Sequence, residues 1–332
     1  MGGGGADAAA HERAGQRDTA AWARPTAGEA LRTFLIIGAA KSGTTSLAAY
    51  LAQHPEVFIP PRKEPNYFAL GDVAAPPRGP APPEVLERVL YNLSTTDRAG
   101  YVRLFAQGAS RPARGEASVR YLYFPQAAAR IRTEIPHVRL VAILRDPVER
   151  VYSHYNMNRQ YQLEPLDLPE ALEAEGDRIR AGWGWDWHYA AVSRYAEQIA
   201  RYRAIFGRDA LAVFLTDDLR ADPDGTMRAI CRHIGVDDGF RPDTSARAKV
   251  SYRPRNLRLD RAIHWPHPLK DTLSQAGLGR PMLAVMSRLA RRNRMPVPPL
   301  DPALRRSLAA RFHGDLADLA DVLGRRLPWG DL

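Results

Sequence analysis

The sequence of 332 residues contains one cysteine, Cys231, and no long hydrophobic run. A single cysteine excludes an intramolecular disulfide and any zinc site built on several cysteines. The amphipathic pattern around Cys231 predicts a helix with a buried thiol, which suits a reducing compartment. The longest aliphatic stretches, such as LVAIL at 140–144, are far shorter than the roughly 20 residues that a membrane-spanning helix needs. We therefore expect no transmembrane segment.

The first 30 residues also lack the apolar segment of a signal peptide, and they are rich in Gly, Ala and Arg. We expect a disordered tail over 1–30 and one domain over 31–332. The Pro-rich stretch AAPPRGPAPP at 74–83 predicts a surface excursion. Together these features predict a soluble, cytoplasmic protein.

Acidic residues are fewer than basic ones, with 37 Asp and Glu against 47 Lys and Arg, which gives a net charge of +10. This balance suits polyanions, anionic membranes or small anionic ligands, although an Arg-rich composition explains it equally well. We predict no nucleic-acid partner. The basic run RLARRNR at 288–294 predicts a solvated helix face, with contact to an anionic glycan or lipid as the alternative.

The hydrophobic pattern predicts an α/β fold. TFLII (33–37), VRLVAIL (138–144) and LAVFL (211–215) lack the alternation of half-exposed strands and are typical of buried parallel strands. Helical patterns follow each of them, so we expect a single domain with a P-loop-like parallel β-sheet and helices on both faces. Asp146, Pro147 and Glu149 predict a capping box at the start of one helix. The basic, Pro-broken stretch 246–261 predicts a loop, and the C-terminal segment predicts two helices followed by a Trp329 that docks on the core.

The turn after the first strand, GAAKSGTT at 38–45, predicts an anion-binding loop. Backbone N–H groups at the start of a helix are unpaired and lie at the positive end of its dipole. A charge-assisted hydrogen bond contributes roughly 1.5–3 kcal/mol, whereas the dipole contributes only about 0.3–1 kcal/mol, so the lysine should matter more. The residues expected to hold the anion are Lys41, Ser42, Gly43, Thr44, Thr45 and Ser46.

This loop differs from that of a nucleotide-hydrolysing P-loop, because Gly43 is followed by Thr44 rather than by lysine. A second anion site is predicted at the end of the second strand. Arg145 stands at the carboxyl end of that strand, where parallel sheets bind ligands, and Ser153 follows about two helical turns later. The alternatives are a surface ion pair for Arg145, with Asp146 or Glu149, and an ordinary helix hydroxyl for Ser153.

Glu64, in KEPNYF, is a third candidate. A carboxylate near two anion sites binds anions poorly, but it can accept a proton from an acceptor hydroxyl or amine. The alternative is a surface pair with Lys63.

Three segments together resemble the sulfotransferases that use 3′-phosphoadenosine 5′-phosphosulfate (PAPS), in the bacterial and glycosaminoglycan-type branch. They are FLIIGAAKSGTTSLAAYLAQHP, KEPNYF and LRDPVERVYSHY. The resemblance continues through LAVFLTDDLRADPDGTMRAICRHIGV and the C-terminal segment, so that it covers roughly 33–330 with gaps.

The resemblance implies that 41–46 bind the 5′-phosphosulfate of the donor. Arg145 and Ser153 are then expected to bind the 3′-phosphate, and Glu64 to act as the catalytic base. Lys41 is expected to neutralise the charge that grows on the bridging oxygen as the sulfuryl group leaves. PAPS is the implied donor, released as PAP, with no metal required. A basic loop is expected to close over the 3′ side of the donor and carries Lys249, Arg253 and Arg255.

The sequence departs from glycosaminoglycan-type relatives in the acceptor region. Those relatives often carry His and Asp where this sequence has Asn66 and Ala69. They also often have a disulfide and a membrane anchor, and the lack of both favours a cytoplasmic bacterial enzyme. The acceptor is left open between a polysaccharide, a lipid-linked sugar and a small natural product, and the oligomeric state is not predicted.

The segment RIRAGWGWDWHY at 178–189 places Trp183, Trp185 and Trp187 at alternate positions. Their rings are expected either to pack in the core or to stack on a flat acceptor such as a sugar. Two other functions stay open at this point. One is a P-loop kinase or NTPase, which needs Mg²⁺, and the other is a non-catalytic binder of PAPS or anionic glycans, which does not need Glu64.

Overall fold

The computed structural model describes residues 32–71, 78–92, 94–245, 252–264 and 279–329. The predicted tail and Lys249 lie outside these residues. The described chain contains a sheet of five parallel strands in the order β2-β3-β1-β4-β5, with helices on both faces, so the predicted α/β fold is confirmed. Its strands are β1 (Arg32–Gly38), β2 (Val57–Phe58), β3 (Ala113–Ala117), β4 (Arg139–Leu144) and β5 (Leu211–Leu215).

The three strands predicted from hydrophobic runs are β1, β4 and β5, and all three are confirmed. The sequence pattern missed β3, because ARGEA carries two charged residues and reads as a surface segment. It is nevertheless buried, since it lies between β1 and β2 and pairs with both.

Helices cover both faces of the sheet because successive side chains of a strand point to opposite faces. Leu35 and Ile37 of β1 pack on one face and Phe34 and Ile36 on the other, and all four are buried. Each such side chain contributes roughly 1.5–3 kcal/mol when it is fully buried.

The helices are α1 (Thr44–Leu51), α2 (Tyr67–Leu70), α3 (Pro83–Leu86), α4 (Arg98–Arg103), α5 (Arg120–Tyr123), α6 (Pro125–Glu134), α7 (Pro147–Gln160), α8 (Leu168–Glu173), α9 (Glu175–Arg180), α10 (Tyr195–Phe206), α11 (Thr216–Ala221), α12 (Pro223–Ile234), α13 (Leu257–His264), α14 (Gly279–Arg292), α15 (Pro302–Ala310) and α16 (His313–Leu323).

Helix α7 begins as predicted, with Asp146 as its N-cap and Pro147 in the first turn. The Asp146 carboxylate accepts a hydrogen bond from the Glu149 N–H at 2.9 Å. The predicted capping box is wrong in its second half, because the Glu149 carboxylate contacts Arg145 at 3.1 Å and also pairs with Arg305. Two neighbouring guanidinium groups draw this side chain away from the N-cap.

The C-terminal part confirms one prediction and corrects another. Helices α15 and α16 form, and Trp329 is buried against the main core while its indole Nε1 donates to Asp217 at 2.8 Å. The predicted loop over 246–261 is wrong where it is described, since 252–254 form a strand (β6) and α13 follows at 257. Strand β6 pairs antiparallel with β7 (Arg294–Pro296), which ends the basic run. Exposed arginines in that run, Arg288, Arg291, Arg292 and Arg294, form the predicted solvated face.

Cys231 is buried on α12, as predicted, and burial raises the pKa of its thiol to about 11. Among the described residues, no helix is long and apolar enough to cross a bilayer.

Candidate active site

The loop between β1 and α1 has the backbone shape of an anion cradle. Lys41 has φ 67° and Gly43 has φ 90°, both in the left-handed region. An added Cβ at Gly43 would meet no atom within 4 Å, so the backbone conformation and not the space requires glycine there. The first N–H groups of α1, which have no partner within the helix, face this loop.

Neighbouring strand ends hold this loop in place. The Ala39 N–H donates to the carbonyl of Ile143 in β4 at 2.8 Å. The Thr216 hydroxyl, just after β5, lies 3.2 Å from the Ser42 carbonyl and 2.9 Å from that of Leu144. The loop is thus fixed at the carboxyl ends of β1, β4 and β5, the edge at which parallel sheets bind ligands.

The side chain of Lys41 is half-buried and reaches helix α7. Its Nζ lies 3.5 Å from the Met157 sulfur. Ser153, also half-buried, stands one turn earlier on the same helix. The structure therefore brings Lys41 and Ser153 to the same side of α7.

Arg145 joins the two predicted anion sites. Its Nη1 donates to the Lys41 carbonyl at 3.2 Å, while Nη2 pairs with Glu149 at 3.1 Å. The ion pair weighed as an alternative is therefore present, and it coexists with the contact to the loop. The side chain keeps 22% of its surface exposed, so a ligand can reach it.

Glu64 lies beside the loop through a lysine bridge. Lys63 donates to the Thr45 hydroxyl at the start of α1, and its Nζ lies 3.1 Å from the Glu64 carboxylate. The Glu64 N–H donates to the carbonyl of Ala117 at the end of β3. Both Glu64 and Asn66 have φ 56°, and left-handed backbone at non-glycine residues costs roughly 1–3 kcal/mol and concentrates at functional sites. The ion pair with Lys63 that was weighed as the alternative is therefore present, and it holds Glu64 within one bridging side chain of the loop.

Glu116 is a buried carboxylate that the sequence analysis did not identify, and it supports the segment that carries Glu64. The Ser118 hydroxyl donates to Glu116 at 2.8 Å and accepts from the Asn66 N–H at 3.0 Å. The Tyr101 hydroxyl also donates to Glu116. Burial raises the pKa of Glu116 to about 7. The sequence feature that could have indicated this site is a glutamate between two small residues in a short strand.

The basic segment after 251 is divided between two positions. Arg253 donates through Nε and Nη2 to the Asn156 amide oxygen at 3.1 and 3.0 Å, which sets it on α7 within one turn of Ser153. Arg255 is exposed and donates to the carbonyl of Arg294, so the structure does not bring it to α7. Lys249 lies outside the described residues.

The three tryptophans have different environments. Trp187 is fully buried and its indole donates to the Leu163 carbonyl at 2.9 Å, which fits the packing interpretation. Trp183 is half-buried against the Arg178 guanidinium. Trp185 is buried in a small cluster with Ala40 of the anion loop.

A cleft of about 420 Å³ opens beside the Glu64 segment. The Thr95 N–H on its wall donates to the Pro65 carbonyl at 2.7 Å, so the cleft and Glu64 are mechanically linked. The cleft has hydroxyl, guanidinium and carboxylate groups and is lined by Arg62, Ser94, Thr95, Thr96, Asp97, Gly100, Arg103 and Leu104.

These residues fit a ligand with two separate anionic groups. The loop at 41–46 offers N–H groups, hydroxyls and one ammonium group. Arg145 beside the loop and Arg253 on α7 supply guanidinium groups. The Arg145 Nε is buried and has no hydrogen-bond partner among the described residues. Within the same described ranges, no group of three or more His, Cys, Asp or Glu side chains is arranged to hold a metal ion.

The chain is similar to several known proteins. Residues 34–240 match a family model described as "Sulfotransferase family". A crystal structure of a sulfotransferase from Alicyclobacillus acidocaldarius is 32% identical, with a TM-score of 0.67, over 92% of this chain and 98% of that chain. The mouse bifunctional heparan sulfate N-deacetylase/N-sulfotransferase 3 is 24% identical over 226 residues, which are 65% of this chain and 23% of the mouse protein.

A third relative is the membrane-associated sulfotransferase kil1 of Dictyostelium discoideum, 30% identical over 131 residues, which are 40% of this chain and 24% of that protein. The chain spans about a quarter of the length of the curated relatives that it matches.

Proposed function

Because this chain belongs to the sulfotransferase family, we propose that it transfers a sulfuryl group from PAPS to a hydroxyl or amine of an acceptor. The observation that carries the proposal is the contact between Arg145 and the Lys41 carbonyl. It joins two cationic sites at neighbouring strand ends, which is the arrangement that a donor with a 5′-phosphosulfate and a 3′-phosphate needs.

The donor would be held at both ends by this chain. Residues 41–46 bind the phosphosulfate, and Arg145 and Ser153 bind the 3′-phosphate, with Arg253 beside them. Lys249 is proposed for the same side of the donor, whereas Arg255, which donates to the Arg294 carbonyl, is not. PAPS supplies the sulfuryl group: the acceptor atom bonds to sulfur, the bond from sulfur to the bridging oxygen breaks, and PAP leaves.

Lys41 and Glu64 then have complementary roles. The Lys41 ammonium, which lies beside Met157 on α7, stabilises the negative charge on the departing phosphate, a preorganised interaction that strengthens in the transition state. Glu64 accepts the proton that the acceptor hydroxyl or amine releases. Lys63, which contacts both Glu64 and Thr45, keeps that carboxylate at the loop.

The acceptor would enter through the cleft beside Glu64. Arg62 and Arg103 in its wall suit an acidic group, and its hydroxyl side chains suit a sugar. A carbohydrate acceptor also agrees with the name of the mouse relative, which refers to heparan sulfate. A lipid-linked sugar and a small natural product are the other proposed acceptors. A bacterial origin, a cytoplasmic location and independence from metal stay predictions.

The test uses PAPS labelled in its sulfuryl group. Purified protein and labelled PAPS are incubated with fractions of cell extract, and mass spectrometry searches for products that carry the label. Labelled products should form with the wild type and be lost with Lys41→Ala. Binding of PAP without any labelled product would instead support a non-catalytic binder, and transfer from ATP would support a kinase.

A further inference from the structure

A buried cluster lies between the anion loop and the tryptophan segment, and the proposed donor chemistry does not use it. Its members are Arg120, which follows β3, Trp185, and His154 on α7. The Arg120 guanidinium lies 5.0 Å from the Trp185 ring, and the His154 ring lies 5.6 Å from the same ring. Trp185 packs with Ala40, the neighbour of Lys41.

The cluster contains several unused hydrogen-bonding atoms. Nε and Nη1 of Arg120, Nε1 of Trp185 and Nε2 of His154 are all buried and have no hydrogen-bond partner among the described residues. The three residues are 2%, 5% and 0% exposed. A buried polar atom without a partner destabilises the folded chain, so several in one place call for a ligand.

Every one of these atoms is a donor. Arginine and tryptophan side chains donate only. The Nδ1 of His154 lies 3.2 Å from Nη1 of Arg150, and an arginine can only donate in that contact. Nδ1 of His154 must therefore accept, which leaves the proton of the neutral ring on Nε2. Burial and the charge of Arg150 lower the pKa of His154 well below its ordinary value, so this neutral form persists at neutral pH.

The cluster also carries positive charge, which suits an anion as its donors do. Arg150 is fully buried, and its contacts are the Ser193 hydroxyl, the Tyr189 carbonyl and His154, with no carboxylate within ion-pair distance among the described residues. Asp186 pairs with Arg120 at 3.3 Å. The remaining oxygen of Asp186 accepts from the Tyr91 hydroxyl. Arg120, Arg150 and Lys41 thus bring three positive charges around His154. Two carboxylates oppose them, Asp186 at Arg120 and the buried Glu175, which accepts from the Ala190 and Ala191 N–H groups and whose charge acts on Arg150.

We propose that Arg120, Trp185 and His154 form a subsite for an oxyanion of the acceptor, such as a carboxylate or a sulfate. The proposal rests on the proposed sulfuryl transfer and adds that the acceptor is acidic. Donors alone, in a cluster of positive charge, match the lone pairs of an oxyanion and offer nothing to a cationic group.

The position of the subsite fits an acceptor rather than the adenosine end of the donor. Arg120 comes three residues after Ala117, whose carbonyl accepts from the Glu64 N–H. The Tyr91 ring lies 4.3 Å from the Arg120 guanidinium, and the Tyr91 carbonyl accepts from Ser94 at the cleft. Tyr91 therefore links the wall of the cleft to Arg120, and an acceptor that enters by the cleft would have to pass the Tyr91 ring to reach the subsite.

The test uses sulfate, acetate and selenate as probes on the full chain saturated with PAP. Crystals soaked in selenate should show an anomalous peak between Arg120, Trp185 and His154. Calorimetric titration with sulfate should show weaker binding by about tenfold or more for Arg120→Met and by about threefold to tenfold for Trp185→Phe, which keeps an aromatic side chain, though a smaller one, and removes the donor. Arg232→Gln, which removes an exposed positive charge, should leave the affinity unchanged. Acetate titrated in parallel tells a carboxylate subsite from a sulfate subsite.

A selenate peak at Lys41 alone, or equal sulfate affinity in the wild type and Trp185→Phe, would overturn the subsite. Water alone between the three side chains in the soaked crystal would do the same. The selenate map of the wild type needs no variant, so a misfolded variant cannot mask the answer. PAP binding is measured first, because its failure would contradict the proposed transfer, whereas a selenate peak at the cluster without PAP would still support an oxyanion subsite.

Discussion

The Arg145 guanidinium donates a hydrogen bond to the main-chain carbonyl of Lys41 at 3.2 Å, across 104 positions of the sequence. This contact makes the two ends of the proposed donor site mechanically dependent. Arg145 would bind the 3′-phosphate directly and also hold the loop that binds the phosphosulfate. Lys41 contributes its charge only where the transferred group leaves.

Substitution of these two residues should therefore separate binding from turnover. Arg145→Ala should weaken PAP binding by roughly tenfold to a hundredfold, since a charge-assisted hydrogen bond contributes about 1.5–3 kcal/mol. Lys41→Ala should lower kcat even at saturating PAPS, because its charge matters most in the transition state. Calorimetry with PAP and steady-state kinetics measure the two effects. Changes in KM alone, and equal in both variants, would remove the distinction.

Much of this site follows from local sequence. The loop at 41–46 and Arg145 each follow a strongly hydrophobic strand, so their positions at one sheet edge could be predicted. Glu64 follows no regular element, and its position depends on the side chain of Lys63 and on a main-chain hydrogen bond to Ala117. Contacts of this kind leave no periodic pattern in a sequence.

The missed features share a physical cause, which is burial of charged residues. Glu116 in β3 and Arg120 after it read as surface residues, yet both are almost completely buried. Their burial is set by pairing with β1 and by contacts with Tyr91 and Asp186, which are distant or irregular in the sequence. Long-range contacts of this kind determine the burial of Glu116 and Arg120, and a local hydrophobic pattern does not show them.

Glu64→Gln tests the general base. The substitution keeps the size of the side chain and one accepting oxygen but loses the proton-accepting charge, so kcat should fall by about 10²–10⁴-fold with PAP affinity nearly unchanged. The measurement needs an acceptor found in the extract screen. Lys63→Met is the matched comparison, since it breaks the ion pair but keeps the Glu64 carboxylate as a proton acceptor. Lower thermal stability and weaker PAP binding in both variants, with kcat largely kept, would make Glu64 a structural partner of Lys63.

Glu116→Gln tests the buried carboxyl under the Glu64 segment. Burial raises the pKa of Glu116 from 4.5 to about 7, so between these values the native state keeps a proton that the unfolded chain releases. The free energy of unfolding should therefore fall as pH rises through this window, by up to about 3 kcal/mol. Glu116→Gln should remove that contribution in urea titrations at about pH 5 and pH 8. Exposed Glu197→Gln serves as the control and should keep it, and an unchanged slope in Glu116→Gln would refute the assignment.

Gly43→Ala tests the shape of the anion loop. Gly43 and Gly324 both have left-handed backbone, with φ 90° and 68°, and open space around the position of a Cβ. Substitution by alanine should lower the free energy of unfolding by about 1–2 kcal/mol at either position. Only Gly43→Ala should also weaken PAP binding, because only Gly43 shapes the loop. Thermal melts and calorimetry on both variants compare the effects, and equal PAP affinity in the two would show that the loop does not bind the donor.

The most direct measurement is calorimetric titration of the wild-type chain with PAP, ADP and ATP, with and without Mg²⁺. The contact between Arg145 and the Lys41 loop predicts that PAP binds most tightly, that the added 3′-phosphate accounts for the gain over ADP, and that Mg²⁺ changes nothing. Tighter binding of ATP with Mg²⁺ than of PAP would contradict the account and favour a kinase.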